Sequence, residues 1–467
     1  MIADLESYAE YRNSGLPWLG QVPAHWRTVR NGSLFGQRSQ TGYAELPILE
    51  VSLKTGVQVR SFGQAGRKQI MSDLGKYKRA VKGDLAYNTM RMWQGALGVC
   101  PVDGLVSPAY VVARPYPGVD ARYFAALFRT GDYMAEIDSA SRGIVKDRNR
   151  LYWDQFKQMQ SPCPPLAEQM AIMRVLDWAT GRLERTIRAK RKMIALLSEQ
   201  TQAVIQRAVT FGLDQSIPLK PSGIPWLGEI PQHWESRRLR SLATKFGSGV
   251  TPRGGASVYQ DSGIPLLRSQ NIHFGELRLD KVARIAPAIH EAMAGTHVRA
   301  GDVLLNITGA SIGRVCAVPL TVEVANVNQH VCIIRPNSTL CDSEYLAMFL
   351  GISAVQTAIY AAQSGSSREG LPVAEVKALR VALPSLTEQF AIRQTVQRET
   401  LSLRSAISIV EREIELLHEF RARLVVDVVT GKLDVREAAL RLLEKVAAEA
   451  SIDAIKDAEL ADEEAEA

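Results

Sequence analysis

The stretch "SGLPWLGQVPAHW" at residues 14–26 returns as "SGIPWLGEIPQHW" at 222–234, identical at nine of thirteen positions across an offset of 208. One domain does not need the same opening twice, whereas a tandem duplication produces it and requires other phrases to recur in the same order. They do. "KGDLAYN" (82–88) matches "AGDVLLN" (300–306), "CPPLAEQMAI" (163–172) matches "LPSLTEQFAI" (383–392), and "TFGLD" (210–214) matches "TGKLD" (430–434). The chain therefore reads as two copies of a unit of about 210–220 residues, with a remainder from Val435 onward. Between the shared phrases the copies have little in common.

Each copy contains two kinds of sequence. Its first part is a series of short apolar or alternating runs broken by Gly, Pro and Asn, such as "LPILEVSLKTGVQV" and "GDVLLNITGASIGRVCAV". That texture predicts strands and turns with a few helices, an α+β head. From Leu166 to about Val209, and from Leu386 to about Val429, Gly and Pro all but vanish, Gly181 excepted. Apolar residues there recur in three-four steps: Leu176, Ala179, Leu183, Ile187, Ile194, Leu197 and Val204 in one copy, Ile392, Val396, Leu403, Ile407, Val410, Ile414, Leu417, Leu424 and Val428 in the other. A period of 3.5 residues predicts a coiled-coil seam, on helices roughly 66 Å long. Thr186 and Lys190 interrupt the first seam.

Each apolar stripe needs a partner, and the other stripe is the nearest one. Gly212 to Gly223 can bridge at most about 40 Å, so the second head must begin near the end of the first helix. An antiparallel pair satisfies this and predicts one head at each end of a rod. Basic "RLERTIRAKRK" (182–192) would then face acidic "EREIE" (411–415). The expected fold is α+β: two globular heads separated by a long antiparallel two-helix coiled coil, with approximate two-fold symmetry from the duplication. The expected segments are 1–165, a central helix 166–213, a second head 214–384, a distal helix 385–434 and an acidic helical tail 435–467.

Net charge is +7, but residues 444–467 hold nine Asp/Glu against two Lys, so residues 1–443 carry +14. A large basic body suits a polyanionic partner such as nucleic acid. Cys100, Cys163, Cys316, Cys332 and Cys341 form an odd set without a C-x-x-C pair, which points to reduced thiols and a cytoplasmic location. No apolar run is long enough to span a bilayer and the first residues lack the pattern of a secretory signal.

Catalytic motifs are missing or accidental. "GASIG" (309–313) matches G-x-S-x-G, but strand-like "RVCAV" follows where a helix is required, and its repeat mate "QGALG" (94–98) has no serine. There is no phosphate-binding G-x-x-x-x-G-K-[ST], no H-E-x-x-H and no clustered metal ligands. Trp18, Trp26, Trp226 and Trp234 could stack on bases, but two heads with different contents share them, so a packing role is expected.

The order head, helix, head, helix, with "PPLAEQMAI" and "PSLTEQFAI" opening the helices, resembles the specificity subunit of Type I restriction-modification enzymes over residues 14–434. "FGSGVTP", "IPLLRSQNI", "GDVLLNITGASIGRV" and "MRMWQGALGV" resemble phrases of its target recognition domains. The resemblance implies a non-catalytic chain whose two recognition domains each read half of a bipartite DNA sequence. It implies two methyltransferase subunits docked on the helices and restriction/translocase subunits beyond them. S-adenosylmethionine, ATP and Mg are expected on those partners and none on this chain. Glu168, Gln169, Glu388 and Gln389, shared at the helix starts, are the expected partner-binding residues.

Base readers should lie where the copies differ, in polar loops whose side chains reach groove edges. The candidates are Lys54, Arg91, Gln94, Arg142, Lys146 and Arg148 in the first head. In the second they are Arg253, Arg268, Gln270, Asn271, Thr308, Ser311, Gln329, Ser366 and Arg368. "SRGIVKDRNR" (141–150) and "QSGSSREG" (363–370) occupy the same place in each copy, shortly before the helix. The alternative, a coiled-coil scaffold that binds no DNA, is separated by salt: phosphate contacts give a steep salt dependence and incidental charge does not.

Overall fold

A computed structural model describes residues 5–60, 74–143, 149–363 and 370–445. It divides into two compact units, residues 1–189 with 413–467 and residues 190–412. Both long helices cross the division. Each unit therefore holds one head and a piece of each helix.

The heads share a four-stranded antiparallel sheet of the same order. In the first unit the order is Phe35–Arg38, Tyr110–Pro115, Leu85–Asn88, Leu97–Val99; in the second it is Ala243–Ser248, Val331–Pro336, Val303–Asn306, Val315–Ala317. Both faces of each central strand are buried, which explains why these strands read as continuous apolar runs. Leu85 and Tyr87 face the helical core while Ala86 faces a second cluster, and Val303 and Leu305 are divided from Leu304 in the same way. The turn before each central strand is built alike. Gly83 and Gly301 take left-handed φ of 91° and 81°, and Asp84 and Asp302 accept backbone N–H groups of Val81 (2.9 Å) and Arg299 (2.8 Å). Each Asp also pairs with a sheet arginine, Arg38 at 2.6 Å or Arg335 at 2.7 Å.

Around this frame the heads diverge. The first adds a hairpin, Leu49–Ser52 with Gly56–Val59, and the pair Lys78–Ala80 with Gly104–Val106. The second adds a four-stranded sheet in which Ile264–Leu267 runs parallel to Ala325–Val327. Two short helices cover the core in each, Ala121–Leu127 and Gly131–Ala140, or Ser343–Gly351 and Ser353–Ala361. Asp120 and Asp342 cap the first of each pair by accepting backbone N–H groups at 2.9 Å.

The long helices run Leu166–Phe211 and Leu386–Val429, as the spacing predicts. In the first unit Ala171, Ile172, Val175, Leu176 and Ala179 share a core with Leu424, Val428 and Val429, and Arg421 reaches Glu184 at 3.3 Å. Early residues of one helix meet late residues of the other, so this pairing is antiparallel. In the second unit Ile205, Ala208 and Val209 join Ile392 and Val396 in the same sense. Burial is deepest beside the heads: Leu176 and Val396 are buried, while Ile194, Leu197, Leu403 and Ile407 are half-buried. Thr186 turns outward and hydrogen-bonds the Arg182 carbonyl at 3.1 Å, leaving Ile187 to continue the seam.

The segment after Asp434 does more than the acidic tail predicted for it. Residues 436–445 are helical, and Val435, Ala438, Ala439 and Leu442 are buried in the first unit's core. Asp434 donates its backbone N–H to the Glu6 carbonyl at 2.7 Å, and the Arg436 guanidinium lies 5.1 Å from the Tyr8 ring centroid.

Candidate nucleic-acid interface

What holds each head to its helix is the duplicated opening phrase. Glu168, only 5 % exposed, accepts hydrogen bonds from Tyr8 Oη (2.6 Å), His25 Nε2 (2.7 Å) and Trp26 Nε1 (2.9 Å). Glu388 accepts from His233 Nε2 (2.8 Å) and Trp234 Nε1 (3.0 Å). The next residue repeats as well: Gln169 accepts the Asp120 N–H and donates to the Pro164 carbonyl, while Gln389 accepts the Asp342 N–H and donates to the Pro384 and Leu340 carbonyls. Each long helix ends on the same clamp. Gly212 (φ 74°) packs against Trp234 and Pro231, and Gly431 (φ 79°) against Pro23 and Trp26, the left-handed residue that closes many helices. Trp26 and Trp234 are buried, Trp18 and Trp226 pack on their cores, and the expected packing role holds. Removing a buried tryptophan of this kind costs about 3–5 kcal/mol.

Within each repeated sheet, one loop joins the third strand of the order to the fourth, residues 89–96 in the first head and 307–314 in the second. Asn88 and Asn306 stand at its start, and Gly95 and Gly313 near its end take φ of 89° and 85°. The frame is constant and the loop contents differ, "TMRMWQ" against "ITGASI".

In the second head Asn306 gathers three segments. Its amide donates to the Ser269 carbonyl (2.8 Å) and to Ser311 Oγ (3.1 Å). Its neighbour Ile307 donates its backbone N–H to the His330 carbonyl (3.0 Å), and Asn328 donates to the Leu267 carbonyl (3.1 Å). Candidates Arg268, Gln270, Thr308, Ser311 and Gln329 thus share one neighbourhood. Gln270 and Gln329 are exposed, and the half-buried Arg268 lies over the Tyr259 ring at 5.4 Å. Arg268 Nε is buried with no hydrogen-bond partner among the described residues. Thr308 bonds to His330, a residue that sequence reasoning passed over, and the Gln329 amide reaches the same ring at 2.9 Å. Gly249 lies so close to the Val327 and Asn328 carbonyls that a Cβ would sit 2.1–2.3 Å away. That contact anchors "FGSGVTP" and leads the chain to the exposed Arg253. Asn271 is corrected: it is buried, its oxygen accepts the Arg268 N–H and its nitrogen donates to the Arg278 carbonyl, so it shapes the loop and does not face a base edge.

In the first head Arg129 does the gathering. Its guanidinium donates to the carbonyls of Gly95 (3.2 Å), Leu97 (2.7 Å) and Ser52 (3.4 Å). Burial pulls its pKa below the usual value. The turn carrying exposed Lys54 is thereby drawn to the loop carrying exposed Arg91 and Gln94. Leu151 donates to the Thr89 carbonyl at 2.9 Å, and Arg142 and Arg150 exchange backbone hydrogen bonds of 3.0 Å, adding exposed Arg142 to the group. Lys146, Arg148, Ser366 and Arg368 lie outside the described residues.

No family model matches the chain. It is 27 % identical over 312 residues to the specificity subunit of the Type I restriction enzyme EcoBI of Escherichia coli, a stretch covering 62 % of this chain and 64 % of that protein. It is 21 % identical over 453 residues, 93 % of this chain and all of the other, to a putative Type I restriction enzyme MjaX specificity subunit of Methanocaldococcus jannaschii. Its fold matches a chain from a solved structure on complex assembly and conformational transition of the type I R-M system, with TM-score 0.56 at 17 % identity, over 88 % of this chain and 99 % of that one. The chain is similar to Type I restriction enzyme specificity subunits in sequence and shares the fold of the type I R-M chain.

Within this chain the helix-start residues take a different part from the one expected. Glu168, Gln169 and Gln389 are buried and bonded inside their own units, and Glu388 is largely so. They join head to helix instead of facing a partner. The helix surface offers other contacts: Leu416 and Phe420 in the first unit, and Met193, Leu196, Leu401 and Ile409 in the second, are 46–66 % exposed. Sequence reasoning missed them because an apolar residue on a helix reads as core. Their signal was being out of phase with the seam.

Proposed function

We propose that this chain is a Type I specificity subunit that reads a bipartite DNA sequence, one half with each head, and presents it to two methyltransferase subunits docked on its helices. The observation that carries the reading is the divergence of the loops at 89–96 and 307–314 within a frame whose sheet order, Asp-capped turn and Glu-Trp clamp are repeated. A protein that needed the two heads for one task would have no reason to keep the frame and vary the loops. Cations and amides, Lys54, Arg91, Gln94 and Arg142 in the first head and Arg253, Gln270 and Gln329 in the second, suit base edges and phosphates. The exposed apolar residues on the helices suit a protein partner.

The chain itself carries no chemistry in this reading. Methyl transfer to adenine N6 from S-adenosylmethionine, and ATP- and Mg-dependent restriction, belong to the partner subunits. The setting is the cytoplasm; no helix among the described residues is long and apolar enough to cross a membrane.

The test is a genome-wide map of methylated adenines in strains with and without this gene. A two-part motif should vanish on deletion, and exchanging residues 1–165 for another head should change one part alone. Arg91→Ala or Arg142→Ala should cost about 1–3 kcal/mol at one half-site and nothing at the other. An unaltered methylation map refutes the reading.

A further inference from the structure

We propose that a pocket on the first head receives an unpaired nucleobase of the target duplex. The inference rests on the reading above, in which the bound DNA is methylated at adenine N6. An enzyme that works on a base takes it out of the stack. The opposing base is then left inside the helix without its pair, with a bare flat face and an unsatisfied hydrogen-bonding edge.

The pocket has a volume of about 410 Å³. Its wall includes Met90 and Tyr152, 41 % and 47 % exposed, and the half-buried Trp153, whose ring is held against Phe156 with centroids 5.6 Å apart. An apolar and aromatic concavity left open to water marks a binding site, and aromatic faces accept any nucleobase by stacking. The polar lining complements an edge that both donates and accepts. The exposed Gln37 amide has no hydrogen bond among the described residues and offers both functions. The Lys78 ammonium donates to the Tyr110 carbonyl at 2.7 Å and has further donors.

Position adds the second argument. Met90 adjoins Arg91, and the lining residue Arg150 is paired through its backbone with Arg142. The pocket therefore opens within the same loops as the candidate readers of the first half-site. A base displaced there would meet Tyr152 without leaving the reading surface.

The experiment uses the full chain with its methyltransferase partner and the mapped target duplex. The nucleotide opposite the methylated adenine of the first half-site is replaced either by a mismatched cytosine or by an abasic residue. Both changes break the pair and relieve the cost of extrusion, but only cytosine leaves a base for the pocket. The mismatched duplex should bind about 5- to 150-fold more tightly than the abasic one. Tyr152→Ala and Met90→Ala, both at exposed side chains, should bring that ratio toward one while preference at the second half-site stays intact. A wild-type ratio near one overturns the proposal. So does a ratio that survives both substitutions in variants that melt like the wild type. Failure of the wild type to prefer the mapped target at all overturns the underlying reading instead.

Discussion

Replacing Glu168 by alanine should unlock the first head from its helix. The carboxylate is 5 % exposed and meets three donors, with Tyr8 Oη and Trp26 Nε1 both on Oε1 and His25 Nε2 on Oε2. Alanine leaves the two buried donors unmade at about 1–3 kcal/mol each; His25 is 41 % exposed and can turn to water. Some of that loss of about 2–6 kcal/mol is offset by removing a buried charge, so about 2–5 kcal/mol remains. Glu168→Gln keeps the shape and leaves Oε1 for Tyr8 and Trp26, while its NH₂ can donate to the other His25 tautomer. Its cost is the weakening from charged to neutral bonds, about 1–2 kcal/mol. Glu388→Ala should fall in that smaller range, because Glu388 and His233 are 23 % and 44 % exposed and water substitutes for what is lost. Urea unfolding followed by tryptophan fluorescence reads this directly. Five of the seven tryptophans (Trp18, Trp26, Trp93, Trp153 and Trp178) lie in the first unit. At about 2 kcal/mol per molar of urea, Glu168→Ala should lower the midpoint by about 1–2.5 M. The reasoning is refuted if Gln destabilises as much as Ala, or if the Glu388 variant moves the midpoint as far as the Glu168 one.

Gly431→Ala would place a Cβ 2.5 Å from Pro23 and 2.9 Å from Trp26 at φ 79°, and should cost about 2–4 kcal/mol. Gly309→Ala, at φ 76° with nothing within 4 Å, should cost only about 1 kcal/mol; equal losses in thermal melts would refute the packing argument. Truncation after Lys445 removes eight Asp/Glu and one Lys, raises net charge from +7 to +14, and should strengthen non-specific DNA binding at low salt in a gel-shift series. Truncation after Asp434 also removes buried Val435, Ala438, Ala439 and Leu442 and should destabilise the first unit by about 3–5 kcal/mol; indistinguishable melts of the two truncations would contradict that. Burial pushes the thiols of Cys100, Cys316 and Cys341 up to about 12, which lowers their thiolate fraction at pH 8 by about three orders of magnitude. A thiol reagent should label them only after unfolding, and rapid labelling of the folded chain would count against their burial.

The long helices were legible almost to the residue. Pro164 and Pro384 follow the preceding strands, Gly212 and Gly431 supply left-handed ends, and between them only Thr186 and Lys190 interrupt the apolar period. The strands were legible as apolar runs, but their order was not, since Ala113 and Leu85 are neighbours only through pairings the chain makes across twenty or more residues. Glu168 was misread because a polar residue in a first helical turn ordinarily faces water; its donors lie some 140–160 residues away. Asn271 was misread for a related reason, in that a free amide and a loop-bracing amide look alike in "RSQNI". The helix after Asp434 was expected, but its docking on the first head was legible and overlooked. Val435, Ala438, Ala439 and Leu442 have helical spacing, masked by the acidic composition that follows.

The clamps at Glu168 and Glu388 place both seams of a head at its own chain ends: the Pro-x-His-Trp at one margin closes on the Glu-Gln at the other. Whatever folds between those margins inherits its attachment without having to evolve one. A head is therefore an exchangeable cartridge: a crossover at each margin replaces what lies between and leaves its attachment to the helix in place.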